Sequence, residues 1–289
     1  MDERPVVFLD SGVGGIPYAV FFHSRNRRER LIYVADRENF PYGPKSRETV
    51  IELALSLIKK LVDFCGPKIV TVACNSISVS ALETLRKEFP GLPFVGTVPA
   101  IKPAVRKSQK RRIGVLGTRR AVEDPYIAEL AAQFGPDCEI AGEAAPELVE
   151  FVERRWISSD RDERLLAVKP WMEKFREKGV DAIVLACTHF LLLKEEFLTS
   201  AGNDIQVFDS VEGVTRRIET ILDEEGLRSG LSEETPVPGV IVTGGAPLEF
   251  HWEKLCQRFG FGLLEFSLVR EARLSLGSFK VPAVKNENP

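Results

Sequence analysis

Two stretches far apart in the chain share one plan, and that repetition limits the fold more than any other feature. Val72-Ala73-Cys74-Asn75-Ser76 and Ile183-Val184-Leu185-Ala186-Cys187-Thr188-His189 each run from an apolar segment through Ala-Cys into a residue able to cap a helix. Short, continuous, β-rich apolar runs are expected of parallel strands covered on both faces. A second pair supports the repeat. Phe8-Leu9-Asp10-Ser11 can be set against Val115-Leu116-Gly117-Thr118 at an offset of 107 residues, and the two cysteines are offset by 113. Near-equal offsets predict two similar α/β domains, each a mainly parallel sheet flanked by helices. If a pseudo-twofold axis relates them, equivalent strand ends open into one cleft. At 289 residues the chain is long enough for this, with 1–98 and 210–289 expected to form the first domain and 99–209 the second.

The remaining elements follow from local spacing. Strands are predicted over 6–9, 31–35, 69–73, 94–97, 113–116, 205–208 and 240–245, besides the one carrying Cys187. Helices are predicted from a Ser46 cap to Gly66-Pro67, over 77–88 with Asn75 or Ser76 as cap, and from Asp124-Pro125. Others are predicted over 147–156, 165–178, 211–222 and 250–259, and the tail from 280 shows no periodicity. Asp10-Ser11-Gly12-Val13-Gly14-Gly15 reads as a tight turn at a strand's carboxyl end, the edge where ligands bind in α/β sheets. It is not a dinucleotide cradle, because Pro17 stands where the third glycine would be and Asp10 would repel a pyrophosphate. The turn would instead expose Asp10 to an ammonium group. Tyr42 beside Gly43, in the apolar loop Phe40-Pro41-Tyr42-Gly43-Pro44, could close over a ligand. Glu153 is a candidate site carboxylate within its helix.

Charge narrows the function. Lys and Arg total 39 against 42 Asp and Glu, so there is no overall field to attract nucleic acid or an anionic membrane. The basic run 106–112 lacks aromatic interleaving and reads as a solvated lead-in to a strand. No apolar run suggests a membrane span, and the first residues carry no signal-like pattern, so a cytoplasmic protein with a small-molecule partner is expected. Five scattered cysteines without a C-x-x-C pair predict reduced thiols and no structural metal site.

Cys65, Cys138 and Cys256 sit in helical or loop contexts and read as packing residues. Cys74 and Cys187 differ, since each ends a strand and precedes a helix start whose amides could lower a thiol from about 8.5 toward neutrality. Opposed thiols on two lobes suit inversion of a carbon centre: one takes an α-proton, the other delivers a proton to the opposite face. No lysine stands in a pyridoxal context and no metal-ligand spacing is present, so no cofactor and no metal are expected.

Taken together, Asp10-Ser11-Gly-Val-Gly-Gly, Pro41-Tyr42-Gly43, Ala73-Cys74-Asn75-Ser76 and Ala186-Cys187-Thr188-His189 resemble the glutamate racemases of the aspartate/glutamate racemase superfamily. Gly117-Thr118 and Leu148-Val149-Glu150-Phe151-Val152-Glu153 also fall in place, so the resemblance covers nearly the whole chain. It implies Cys74 and Cys187 as catalytic acid/bases, with glutamate held by Asp10, Ser11, Tyr42, Gly43, Asn75, Ser76, Thr188 and His189. Asp10 and His189 would also assist the thiols, and Thr118 and Glu153 would be auxiliary. A homodimer supplying D-glutamate for peptidoglycan is further implied. Ser76 stands where the family usually has Thr, Ala121 where Thr is common, and Phe190-Leu191-Leu192-Leu193 where Tyr-Pro-Leu-Leu is usual; these bear on substrate affinity. A racemase of aspartate or a hydantoin, a single-cysteine hydrolase and a non-catalytic binding protein are the alternative readings.

Overall fold

The computed structural model describes residues 2–231, 237–244 and 250–264, and the tail from 280 lies outside them. Its strands are β1 (Val6–Asp10), β2 (Leu31–Ala35), β3 (Ile69–Val72), β4 (Phe94–Gly96) and β5 (Arg112–Gly117). They continue with β6 (Glu139–Ala144), β7 (Ala182–Ala186), β8 (Gln206–Phe208), β9 (Gly239–Val242) and β10 (Gly262–Leu263). Two sheets result, ordered β10-β9-β2-β1-β3-β4 and β6-β5-β7-β8, and every strand pairing among the described residues is parallel. The run β2-β1-β3-β4 has the same order as β6-β5-β7-β8, with β1 matching β5 and β3 matching β7. The expected repeat is therefore a repeat of topology, in a two-sheet α/β fold flanked by helices.

Strand alternation sorts the apolar side chains into three cores. Val7 and Leu9 of β1, Val70 and Val72 of β3, and Cys74 beyond it pack with Val50, Ala54, Ile58 and Ile77 of the helices Arg47–Cys65 and Asn75–Glu88. Ile113, Val115, Ala182, Val184 and Ala186 pack on the outer side of the second sheet, with Ile101 and Ile127. The opposite faces of both sheets share one core, in which Val6, Phe8 and Ile69 join Leu116, Ile183, Leu185 and Cys187. A buried Phe or Leu there contributes about 1.5–3 kcal/mol, so the two sheets are fastened by burial as well as by chain connection. Cys74 and Cys187 thus sit on different strand faces, one on an outer core and one on the shared core.

Local signals explain most boundaries. Ser46 Oγ accepts from Thr49 N at 3.1 Å, and Gly66 at φ 50° ends that helix in the left-handed conformation. Helix Arg161–Glu177 begins before the expected 165 because Asp160 and Glu163 form a capping box. Three expectations are corrected. An unexpected helix, Ile101–Lys107, precedes the basic lead-in and takes in its first two residues, with Pro103 in its first turn where no amide is required. Strand β6 was not expected, because Glu-Ile-Ala-Gly-Glu-Ala is a half-exposed edge with no apolar run. The helix after β3 begins at Asn75, with Cys74 itself at the cap position and no side-chain cap bond.

The basic run is held down. Asp181 accepts from Ser108 Oγ and from the amides of Gln109 and Lys110 at 2.6–2.8 Å, and Arg111 is paired with Asp137. No described helix is long and apolar enough to cross a membrane. Helix Val211–Glu224 lies against helix Ile16–Arg25 through Tyr18–Ser210 (2.8 Å) and Arg25–Glu219 (3.1 Å) bonds.

At the amino ends of the first sheet's strands, Lys68 and Glu29 form an ion pair of 2.5 Å with side chains 0% and 3% exposed. Lys68 Nζ also donates to the carbonyls of Asp2 and Leu227 at 2.7 and 2.8 Å. Removing one partner leaves a buried charge alone, which costs about 3–5 kcal/mol. Lys68→Met is therefore expected to lower the urea unfolding free energy by that order. A loss under about 1 kcal/mol would mean that water reaches Glu29 readily.

Candidate active site

The carboxyl ends of β1 and β3 in one sheet and of β5 and β7 in the other open into one cavity of about 940 Å³. Cys74 and Cys187 both line it, at 5% and 4% exposure. So do Ser11, Tyr42, Gly43, Asn75, Ser76, Thr118, Glu153, Thr188 and His189. Register explains the convergence: Leu9 pairs with Val72 and Gly117 with Ala186, so each cysteine lies just past a strand end beside its neighbour's terminal turn. Each cysteine is extended at φ −140° and −136°, the geometry of the last residue before a helical turn.

The two thiols have unlike surroundings. Cys74 Sγ donates to Ser11 Oγ at 3.9 Å and receives the Ile77 amide. Burial, joined by the nearby Asp10 charge, nonetheless pushes the thiol far above its ordinary pKa. The expectation that the helix start would bring Cys74 toward neutrality is overturned, since one amide and one hydroxyl do not outweigh full desolvation. Cys187 Sγ instead lies 3.7 Å from His189 Nδ1.

His189 continues the chain of contacts. Its Nε2 is 2.6 Å from Glu153 Oε1, which also accepts from the Val13 amide at 2.9 Å. Burial works against a charge on Glu153, but the bond and charge of His189, the Val13 amide and the Arg37 charge together hold its pKa below the ordinary value. The carboxylate is thus ionised and His189 Nε2 is the donor. Burial likewise opposes charge on His189, yet the bonds to Cys187 and Glu153 hold its pKa well above the ordinary value. An imidazolium there donates from both nitrogens, to Cys187 on one side and Glu153 on the other.

Asp10 does not line the cavity. It is fully buried, with Oδ1 accepting from Gly12 N at 2.8 Å and Oδ2 from Thr188 Oγ1 at 2.9 Å. Burial pushes it up to about 6, against the His189 charge and these bonds. The expected exposure of Asp10 to an ammonium group is corrected: the carboxylate stands behind Thr188. The glycines around it also have a different purpose from the one expected. None of Gly12, Gly14 and Gly15 has positive φ. A Cβ at Gly12 would meet Glu153 Oε1 at 1.9 Å, and one at Gly14 would meet His189 N at 2.6 Å. They admit the second sheet's site residues into contact with the first.

Tyr42 is not an open lid. Its hydroxyl donates to Asp36, which also accepts from Thr243 Oγ1 at 2.7 Å and from Asn39, so the ring is fixed in the wall with 2% exposure. Ser76 Oγ and Thr118 Oγ1 face each other across the two sheets at 3.3 Å, and Thr118 also accepts from the Ala121 amide. Asn75 is buried and its Oδ1 has no hydrogen-bond partner among the described residues, although it lines the cavity. An unsatisfied buried acceptor of this kind marks a place for a ligand's donor. Among the described residues, no three His, Cys, Asp or Glu side chains converge as metal ligands.

Sequence reasoning missed Arg37, Arg119, Arg154 and His251, which also line the cavity. Arg119 and Arg154 are exposed and paired with Glu123 and Glu150 at 3.6 Å. Arg37 is half-buried on a short turn ahead of Phe40, and its charge reaches Glu153. A cation next to the apolar 40–44 loop was the available signal.

The Asp/Glu/Hydantoin racemase family model matches residues 22–218. A glutamate racemase of Treponema pallidum (strain Nichols) is 46% identical over 216 residues, covering 75% of this chain and 80% of the relative. One from Sphingopyxis alaskensis is 35% identical over 242 residues, covering 83% and 88%. Among solved structures, Escherichia coli glutamate racemase in complex with L-glutamate and the activator UDP-MurNAc-Ala superposes with a TM-score of 0.75 at 30% identity, covering 90% of this chain and 97% of that one. The Francisella tularensis glutamate racemase complex with D-glutamate gives 0.76 at 25% identity, covering 92% and 98%.

Glu153→Gln removes the charge and one acceptor that hold the proton on His189. The His189 imidazole resonances, followed by NMR against pH, should then titrate at lower pH than in the parent protein. An unchanged titration would mean that Cys187 alone sets the protonation of His189.

Proposed function

The chain belongs to the Asp/Glu/hydantoin racemase family and to the glutamate racemases within it, and we propose that it inverts glutamate by moving a proton between two opposed cysteines. The observation carrying this reading is that Cys74 and Cys187, from matching strand ends of two sheets, line the same cavity. A thiolate at Cys187, stabilised by the His189 imidazolium, removes the α-proton of one enantiomer and becomes a thiol. The electron pair passes into the α-carboxylate, and the Cys74 thiol, kept neutral by burial, gives its proton to the opposite face and becomes a thiolate. The other enantiomer runs the same steps backward and restores the first state. Asp10 and Glu153 assist from behind, through Thr188 and His189.

Proton transfer from positioned groups supplies about 10²- to 10⁴-fold, so the carbanion needs further electrostatic help. The first turn of helix Asn75–Glu88, with the Ser76 and Thr118 hydroxyls, suits the α-carboxylate. The free Asn75 Oδ1 suits the ammonium group. Arg37 supplies the cation for the side-chain carboxylate, with Ser11, Tyr42 and Gly43 completing the wall. Because enantiomers have equal free energy in water, kcat/KM must be equal in the two directions. The unlike surroundings of the two thiols can appear only in kcat and KM separately. In this reading the enzyme works in the cytoplasm as a homodimer, without a cofactor, and supplies D-glutamate for peptidoglycan.

L-glutamate incubated with the protein in D₂O should give D-glutamate carrying solvent deuterium at Cα, and Cys74→Ser and Cys187→Ser should each slow turnover in both directions by at least about 10²-fold. Retained protium, or one serine variant close to the parent rate, overturns the two-base scheme. Arg37→Gln should raise KM for glutamate about tenfold with little change in kcat, as expected when a charge-assisted contact made equally in ground and transition states is lost. An unchanged KM removes Arg37 from the substrate site.

A further inference from the structure

Behind the cavity wall, one buried side chain grips the turn on which both assisting carboxylates depend. Tyr33 of β2 is fully buried, and its register partner in β1 is Phe8. The phenol reaches the turn that follows β1. Its hydroxyl donates to the Gly12 carbonyl at 2.6 Å and accepts from the Gly15 amide at 3.2 Å, so one oxygen bridges residues 12 and 15. Tyr33 does not line the catalytic cavity.

The bridged segment is the one that holds the site. Gly12 N donates to Asp10 Oδ1 at 2.8 Å, and the next amide, Val13 N, donates to Glu153 Oε1 at 2.9 Å. Asp10 leads on to Thr188 and Glu153 to His189, and both of these line the cavity. Two consecutive amides of the first sheet's turn therefore fix two buried carboxylates, and those carboxylates fix the side chains that follow Cys187. His189 among them reaches the thiol itself.

Such a turn does not keep its shape unaided. Gly12, Gly14 and Gly15 have the greatest backbone freedom of any residue type, and none of them has the positive φ that would lock a glycine-only conformation. A buried hydroxyl bonded at both ends of the turn removes that freedom. Without it the Gly12 carbonyl and Gly15 amide would lose their shared partner, and the turn would have to rearrange to satisfy them. Burial, with the charges of Asp10 and Glu153, pushes the phenol well above its ordinary pKa, so it stays a donor near neutral pH. From this geometry we infer that Tyr33 is a positioning residue for the proton transfer, setting Asp10 and Glu153 through the 12–15 turn without touching substrate. The inference rests on the racemase reading above and adds to it a first-sheet residue that acts on the second sheet's thiol through backbone.

Tyr33→Phe in the full chain tests this. In both directions kcat should fall at least about tenfold with KM within about twofold, as when groups are displaced from the transition state alone. Amide exchange followed by NMR should quicken at least about tenfold at Gly12, Val13 and Gly15 but not at Phe8 and Leu9 in β1. The carboxyl carbons of Asp10 and Glu153 should titrate at higher pH, Asp10 above about 6, because each loses part of an amide bond that favours its charged form. Their other ionisable neighbours, His189, Arg37, Cys74, Tyr18 and Tyr42, are untouched by the substitution. Asp181, held by the amides of Gln109 and Lys110, should keep its midpoint. 4-Aminophenylalanine in place of Tyr33 keeps the ring and a donor for Gly12 but accepts poorly from Gly15. It should exchange fast at Gly15 with an intermediate kcat, and it decides the matter if circular dichroism shows Tyr33→Phe unfolded. Equal quickening in turn and strand, unmoved carboxyl midpoints, or an unchanged kcat overturns the inference. Exchange and titration need no turnover, so a parent protein that does not racemise glutamate would end the functional reading while still deciding whether Tyr33 braces the turn.

Discussion

A buried carboxylate must be paired, and Glu153 finds its partners on both sides of the cleft. It accepts from the Val13 amide, in the turn after β1, and from His189, in the turn after β7. That single oxygen therefore joins the two sheets beside the cavity that Cys74 and Cys187 both line. The contact is close enough to exclude a methyl group at Gly12, so the spacing of the first sheet's turn is set by a side chain from the second half of the chain. His189 in turn reaches Cys187, and its bonds to Cys187 and Glu153 together hold the imidazole's pKa above the ordinary value against its burial.

The halves repeat in topology but not in chemistry. Asp10 at the end of β1 corresponds to Gly117 at the end of β5, and Ser76 after the first cysteine corresponds to His189 after the second. One thiol thus faces a carboxylate and hydroxyls, while the other faces an imidazolium. A racemase needs an acid and a base at once, and two equivalent thiols in equivalent pockets would offer no reason for them to differ. The repeat supplies the opposed placement, and the broken repeat supplies the unlike neighbours of the two thiols. The core shared by the inner faces of both sheets holds this arrangement together, because Phe8 and Ile69 on one side and Leu185 and Cys187 on the other pack in the same cluster.

Legibility in the sequence tracked how local the physical cause was. Ser46, Gly66 and Asp124 act on their own helices, and the predicted ends there agree with the structure. Both cysteines were identifiable from an apolar run followed by a polar turn. The half-exposed strand β6 and the helix around Pro103 carried weak local patterns and were not anticipated. Within the site, Asp10 and Cys74 were placed correctly along the chain but misjudged in their surroundings. Desolvation depends on what packs over a residue, and Thr188, which covers Asp10, lies far away in sequence.

What the amino-acid order determined alone is the plan: strand ends bearing Cys74 and Cys187, polar turns that follow them at once, and two halves alike enough to oppose each other. These rest on alternation, capping and spacing, which act over a few residues. Only the tertiary structure decided that Asp10 is sealed behind a hydroxyl, that Tyr42 is locked by Asp36, that Arg37 joins the wall, and that Glu153 bonds His189. Each of those depends on distances between segments that no local pattern encodes, and on the burial that converts a nearby charge into a determinant of protonation.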